Sequence, residues 1–173
     1  MRTRERDEEF RDFYFRETAR LRYIALLMTG DQTRAEDLAH DALLRAYRAW
    51  GRIRNDDPGP YVRSALANLC RNEHRRRALD FRKRDEVIAA AGPQTSPDRT
   101  ATVDEGLRLA KALEVLSPIR RATIVLHFYE DMTEAEVARV LDRPLNTVKS
   151  DVRRGLRQLR ESLMEATKEA SGA

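Results

Sequence analysis

The sequence predicts an all-α protein made of two small helical domains joined by a flexible linker. Three observations carry this expectation. Apolar residues recur at three- and four-residue spacing through most of the chain, which marks helices with one inward face. Aromatic residues make up 6% of the 173 positions, with only 7 Gly and 6 Pro, too few strand and turn formers for a large β protein. The helical period lapses at Ala89-Ala-Ala-Gly-Pro-Gln-Thr-Ser-Pro-Asp-Arg-Thr, a stretch of small and breaker residues. The expected units are residues 1–78 and 105–173, with 79–104 between them.

Taken in order, Phe10, Phe13, Tyr14, Leu21, Ile24, Ala25 and Met28 form one face of a long first helix, which Thr29-Gly30-Asp31 ends. The second helix turns Ala35, Leu38, Ala39, Ala42, Leu43, Ala46 and Trp50 inward. Thr33 and Glu36 have capping-box spacing at its start, with Asp31 a competing cap. Asp57 can cap a third helix whose first turn tolerates Pro58 and Pro60, because first-turn N–H groups have no helical partner. Tyr61, Val62, Ala65, Leu66, Leu69 and Cys70 give it a buried face. After the linker a helix begins near Val103, carrying Leu107, Ala110, Leu113 and Leu116. Ser117-Pro118 opens another through His127. Thr133-Glu-Ala-Glu136 is a capping box before Val137, Ala138, Val140 and Leu141. The last helix sets Leu145, Val148, Val152, Leu159 and Leu163 on one side.

Charge narrows the function. Thirty-three Lys and Arg against 29 Asp and Glu give a net charge of +4, crowded into Arg71–Arg84 and Lys149–Arg160. Two separated basic stretches fit two contacts with a polyanion. No apolar run approaches the roughly 20 residues of a membrane span, and the charged N-terminus lacks the apolar core of a signal peptide. The expectation is a soluble, cytoplasmic protein with no membrane insertion. The chain stops soon after the last helix, which argues against an appended regulatory domain. The lone Cys70 excludes an internal disulfide and a Cys-rich zinc site. Asp37-x-x-His40 echoes a di-iron ligand pair, but His74 and His127 have no acid three residues earlier. Without a phosphate-binding Gly loop, nucleophile elbow or triad, neither an enzyme, a metal nor a cofactor is expected.

The strongest local signal runs from Thr133 to Arg160: a short capped helix, a tight Leu-Asp-Arg-Pro connection and a longer basic helix, in the pattern of a helix-turn-helix. Opposite the apolar stripe, the last helix shows Thr147, Ser150, Arg154 and Arg157, flanked by Asn146, Lys149 and Arg153. Hydroxyl and guanidinium groups suit base edges, and flanking cations suit phosphates. The third helix carries a second polar face of Arg63, Asn68, Arg71, Asn72 and Arg75. Trp50 and Tyr61 beside it could stack splayed bases, although a structural role weighs more for both.

Together these motifs resemble an extracytoplasmic-function (group 4) sigma factor of bacterial RNA polymerase. The stretch from Ala35 to Trp50 resembles region 2.2, and Pro60 to Asn72 with Arg75-Arg76-Arg77 resembles regions 2.3 and 2.4. Leu116 to Ala138 and Asn146-Thr-Val-Lys-Ser150 resemble region 4. The Tyr-Val-Arg…Asn-Leu pattern and Thr29-Gly30-Asp31 are most similar to the actinobacterial SigE-family branch. The resemblance implies a factor that binds core RNA polymerase, through its β′ clamp and β flap, and promoter DNA, with an anti-sigma factor as a further partner left open. Asp37, Leu38, Asp41, Leu44 and Arg45 would grip the clamp. Asn55, Asp56 and Asp57 with Arg63, Asn68, Arg71, Asn72 and Arg75 would open and read the −10 element. Asn146, Thr147, Lys149, Ser150, Arg153, Arg154 and Arg157 would meet the −35 element. His40 and Asp41 replace a common Gln-Glu, Asp142 a turn Gly, Pro144 a Ser cap, and Asp151 a common Arg. Asp151 is expected at the edge of the DNA-facing side, paired with a neighbouring Arg or accepting from a cytosine amine. The alternative reading is a dimeric helix-turn-helix regulator that binds duplex DNA without polymerase.

Overall fold

The computed structural model describes residues 2–84 and 101–171; the breaker-rich stretch of the expected linker lies outside them. Among the described residues there are helices and no strand. An N-terminal unit holds α1 (Arg2–Thr29), α2 (Gln32–Ile53) and α3 (Pro58–Arg84). A C-terminal unit holds α4 (Ala101–Ala112), α5 (Pro118–Ile124), α6 (Glu134–Leu141) and α7 (Leu145–Ser171). A 3-10 turn, Leu113–Val115, joins α4 to α5, and α5 widens into a π-helical turn at Val125–Tyr129. Helix thus reaches further from both sides than the sequence pattern indicates, to Arg84 and from Ala101.

Local chemistry sets the helix ends. Gly30, at φ +72°, takes the left-handed position after α1, and its N–H donates to the Leu26 carbonyl at 2.8 Å. Asp31, rather than Thr33, caps α2: Asp31 Oδ1 accepts the Arg34 N–H at 3.1 Å. Thr33 lies already inside the first turn. Asp57 Oδ1 accepts the Gly59 N–H at 2.9 Å as α3 begins. Ser117 occupies the N-cap of α5 without a side-chain hydrogen bond.

The N-terminal core is the expected one. Phe13, Leu21, Ile24, Ala25 and Met28 of α1 meet Ala39, Ala42, Leu43 and Ala46 of α2 and Val62, Leu66 and Cys70 of α3. Trp50 is buried between Phe10 and Phe13, each ring centroid 5.1 Å away, so its role is structural. Burial pushes the Cys70 thiol up to about 12, which leaves it a packing residue without thiolate reactivity. In the C-terminal unit Val137, Leu141, Val148 and Val152 close the core over Leu116 and Leu126. Gly155 lets α7 approach α5 closely, since a Cβ there would stand 2.9 Å from Ile124. Leu145 and Leu163 do not join this core as the stripe predicts; both are exposed. Leu145 is the first residue of α7, and past Leu159 the helix is mostly uncovered.

The two units also pack on one another, α4 and the π turn against α1, and α5 and α6 against α3. Their buried residues form one continuous apolar cluster.

The α6 cap is the clearest of these local features. Thr133 Oγ1 accepts the Glu136 N–H while Glu136 Oε2 accepts the Thr133 N–H at 2.8 Å. Thr133→Ala is expected to cost about 0.5–2 kcal/mol, seen as a lower urea midpoint. An unmoved midpoint would show that the box contributes nothing.

Candidate nucleic-acid interface

Turn geometry positions α7. Asp142 takes the left-handed conformation, φ 51° and ψ 57°, where Asp is better tolerated than most residues, and the Arg143 N–H closes back on the Ala138 carbonyl at 2.9 Å. The Pro144 carbonyl accepts from Thr147 and Val148 at 2.9 and 3.1 Å, so the helix starts cleanly at Leu145 without a Ser cap.

The outward face of α7 brings the predicted residues together. Asn146, Lys149, Arg153, Arg154 and Arg157 are exposed, and Thr147 and Ser150 are half-buried. Ser150, Arg153, Arg154 and Arg157 line a shallow cleft of about 370 Å³. Lys149 and these arginines carry no ion pair among the described residues, so their charge is available to an anion. Ser150 Oγ donates to the Asn146 carbonyl at 2.9 Å, which leaves its lone pairs to accept.

Asp151 corrects the sequence reading. It does not sit at the edge of the DNA-facing side. It is buried, 3.6 Å from Arg120 Nε of α5 and 3.6 Å from Arg143 Nη2 of the turn. Position 151 lies three residues after Val148 and one before Val152, both packed inward, and so shares their side. Its partners come from the turn and another helix, so it neither pairs on the helix surface nor reaches a base.

The N-terminal candidates divide. On α2, Asp37, His40, Asp41, Leu44 and Arg45 are exposed, while Leu38 is half-buried against the core. Asn55, Asp56 and Asp57 are exposed beyond α2. On α3, Asn72 and Arg75 are exposed and Asn68 is half-buried. Arg63 and Arg71 are not on an open face. Arg63 Nε lies 3.3 Å from Glu130 Oε2, and Arg71 Nη1 donates to the Leu141 carbonyl at 2.7 Å. The C-terminal unit therefore lies against this side of α3.

Sequence reasoning missed three residues here. Arg20 Nε donates to Glu130 Oε1 at 2.9 Å, which raises the Arg20 pKa further. Buried Arg121 donates from Nε to the Leu113 carbonyl at 3.0 Å and from Nη1 to the Met28 carbonyl at 3.4 Å; burial pushes its pKa down. Glu130 has no local signal, since both cations that meet it lie in distant helices. His40 of the di-iron echo is exposed, and among the described residues no three or more His, Cys, Asp or Glu gather in a metal-holding group.

A helix-turn-helix with a free cationic face, packed beside a second helical unit with its own polar face, fits the class of nucleic-acid-binding proteins. Comparison with known proteins agrees. Residues 13–79 match the family model Sigma-70 region 2, and residues 106–159 match Sigma-70, region 4. The chain is 35% identical over 158 residues to the RNA polymerase sigma-E factor of Streptomyces coelicolor, covering 87% of this chain and 86% of that one. It is 33% identical to the ECF RNA polymerase sigma factor SigL of Mycobacterium tuberculosis, covering 90% and 89%. Two solved structures share the fold. They are sigma factor RpoE with the anti-sigma factor NepR from Bartonella quintana (TM-score 0.69, 22% identity, 91% and 98% covered) and CnrH with the cytosolic domain of CnrY (TM-score 0.61, 22% identity, 91% and 88% covered). The chain belongs to the sigma-70 family of RNA polymerase sigma factors, in its extracytoplasmic-function group. The dimeric-regulator alternative is set aside with that membership.

Removing the Asp151 carboxylate leaves Arg120 and Arg143 without their anion. Asp151→Ala is expected to destabilise the protein by about 1–3 kcal/mol and to leave base preference unchanged across a −35 point-mutant library. Loss of preference at a single C·G pair would return Asp151 to the DNA-reading set.

Proposed function

We propose that this sigma factor reads the −35 duplex with α7 and the −10 strand with the end of α2 and the polar side of α3, while α2 holds core RNA polymerase. The observation that carries the reading is the unpaired cationic cleft of Ser150, Arg153, Arg154 and Arg157 on the second helix of the helix-turn-helix. Thr147, Ser150, Arg154 and Arg157 face base edges, and the flanking Asn146, Lys149 and Arg153 meet the phosphate backbone. Asn55, Asp56 and Asp57 with Arg63, Asn68, Arg71, Asn72 and Arg75 take the melted strand, bases on the amides and backbone on the arginines. Asp37, Asp41, Leu44 and Arg45 form the exposed clamp-facing strip of α2, with Leu38 anchoring it to the core. The C-terminal unit meets the β flap. The protein acts as a non-enzymatic factor in the cytoplasm, where the polymerase is; among the described residues no helix is long and apolar enough to cross a membrane. An anti-sigma factor, present in the RpoE–NepR structure, is included among its partners. Residues 1–78 and 105–173 are the two working units.

Run-off transcription with purified core polymerase on genomic fragments tests the whole reading. It expects transcripts that depend on the added factor. Their absence, with tight binding of the protein alone to a symmetric duplex, would favour a polymerase-independent regulator.

Two substitutions test its parts. Asp37→Lys with Asp41→Lys reverses charge one turn apart on exposed α2. Core binding should fall while the thermal midpoint holds, because exposed charges contribute only ~0–1 kcal/mol to folding; unchanged competition for core would remove these residues from the clamp contact. Asn72→Ala should reduce promoter opening more than closed-complex formation, since a base is captured only after it leaves the stack. Normal permanganate reactivity of the variant complex would count against that role.

A further inference from the structure

The two units meet across a charged seam that promoter reading does not explain. The Glu130 side chain has 0% exposure. A buried carboxylate is unfavourable unless cations meet it. Both cations that meet it come from the other unit, Arg20 of α1 at 2.9 Å and Arg63 of α3 at 3.3 Å. Arg71 of α3 donates to the last carbonyl of α6, at Leu141, and Arg121 of α5 reaches back to Met28 of α1. Apolar contacts run alongside. Tyr23 of α1 stacks on Tyr129 with centroids 5.1 Å apart, and a Cβ on Gly106 of α4 would stand 2.9 Å from the Tyr23 ring.

We propose that Glu130 is the clasp that closes the C-terminal unit over α3 in the free sigma factor, so that Arg63 and Arg71 reach the promoter strand only after the units part. The proposal rests on the −10 assignment above. A guanidinium held by a carboxylate or a carbonyl is not free for a phosphate. Asn72 and Arg75 stay exposed, so closure covers one side of the reading face. Joining the units puts each at an effective concentration on the order of mM beside the other, so a modest interface suffices. Opening hydrates Glu130 and frees its arginines together, which leaves no buried charge unpaired and makes the clasp reversible. Polymerase then binds the open fraction, and its apparent affinity falls by that fraction.

The test uses the full chain, spin-labelled at Arg11→Cys on α1 and Glu161→Cys on α7, both exposed positions; buried Cys70 does not compete for label. Pulsed electron resonance should give one narrow distance population. With Glu130→Gln the distribution should broaden and lengthen at unchanged helicity. Arg20→Gln, on the more exposed arm of the clasp, should shift it the same way by less, and serves if the first variant does not fold. Apparent affinity for core polymerase should rise in the variants, on the order of 10-fold, with run-off output at saturating factor unchanged. A broad population in the unsubstituted protein, or a folded variant whose distances match it, overturns the clasp. The distance readout involves neither DNA nor polymerase, so failure of the promoter assignment would leave it intact.

Discussion

A carboxylate with no water around it must be met by positive charge, and the arrangement of this protein's halves follows from how Glu130 is met. Arg20 reaches it across 110 positions of sequence. The π-helical turn makes the meeting possible. The Glu130 N–H closes on the Val125 carbonyl at 3.3 Å, one residue further back than an α-helix would choose. Each residue turns an α-helix by about 100°, so an added residue swings every later side chain around the axis by that amount. That rotation puts Glu130 inward between α1 and α3 and lays Tyr129 along Tyr23. Asp131, at φ 51°, then redirects the chain into the α6 cap. Buried ion pairs contribute little net stability, since desolvation offsets the attraction. Their effect here is selective: a register that left Glu130 unpaired would be far less stable than the one observed.

The second charge arrangement works the opposite way. On α7 the acid is withdrawn and the bases are left outside. Asp151 pairs with Arg120 and Arg143 within the unit, 3.6 Å from each, so it neither neutralises Arg153, Arg154 or Arg157 nor repels a phosphate near them. Crowded like charges on a surface cost some stability through self-repulsion. A phosphate backbone relieves that repulsion on binding, and the release of its counterions adds a salt-dependent driving force. Gly155, pressed against Ile124, and the left-handed Asp142 fix the angle at which this face is presented.

Much of this was legible in the sequence wherever the determining contact is local. The Thr133–Glu136 box, the Asp142 turn and the Asp57 cap each depend on atoms a few residues apart, and the apolar period marks the inward sides of α1, α2 and α3. Position 151 departs from its expectation because adjacency to Ser150 does not fix a side of the helix, whereas Val148 and Val152 place it on the packed one. Arg63 and Arg71 lie on the polar side of α3, as the pattern expects, but meet the C-terminal unit there. An amphipathic pattern separates apolar from polar faces, but it does not separate a polar face meeting water from one meeting another unit. Leu163 shows the converse, an apolar residue in phase with the stripe on a helix that continues past what covers it. Glu130 depends on partners from two distant helices, so no local pattern contains it.

In the proposed clasp, Glu130 and a promoter phosphate are alternative anions for the Arg63 guanidinium. Arg63 needs no separate switching element, because the chemistry that suits it to a nucleic-acid backbone also suits it to a carboxylate. The two contacts differ in their surroundings. The pair with Glu130 is buried, with Arg63 17% and Glu130 0% exposed at the side chain, and salt screens such pairs weakly. The pair with a phosphate forms on an open surface against a condensed ion atmosphere, which salt opposes strongly. Rising ionic strength therefore weakens the promoter contact faster than the internal one and moves the balance toward the closed form. On the proposed clasp, polymerase shifts it the other way, because holding the two units at promoter spacing would remove Glu130 from reach of Arg63 and leave the phosphate as its nearest anion.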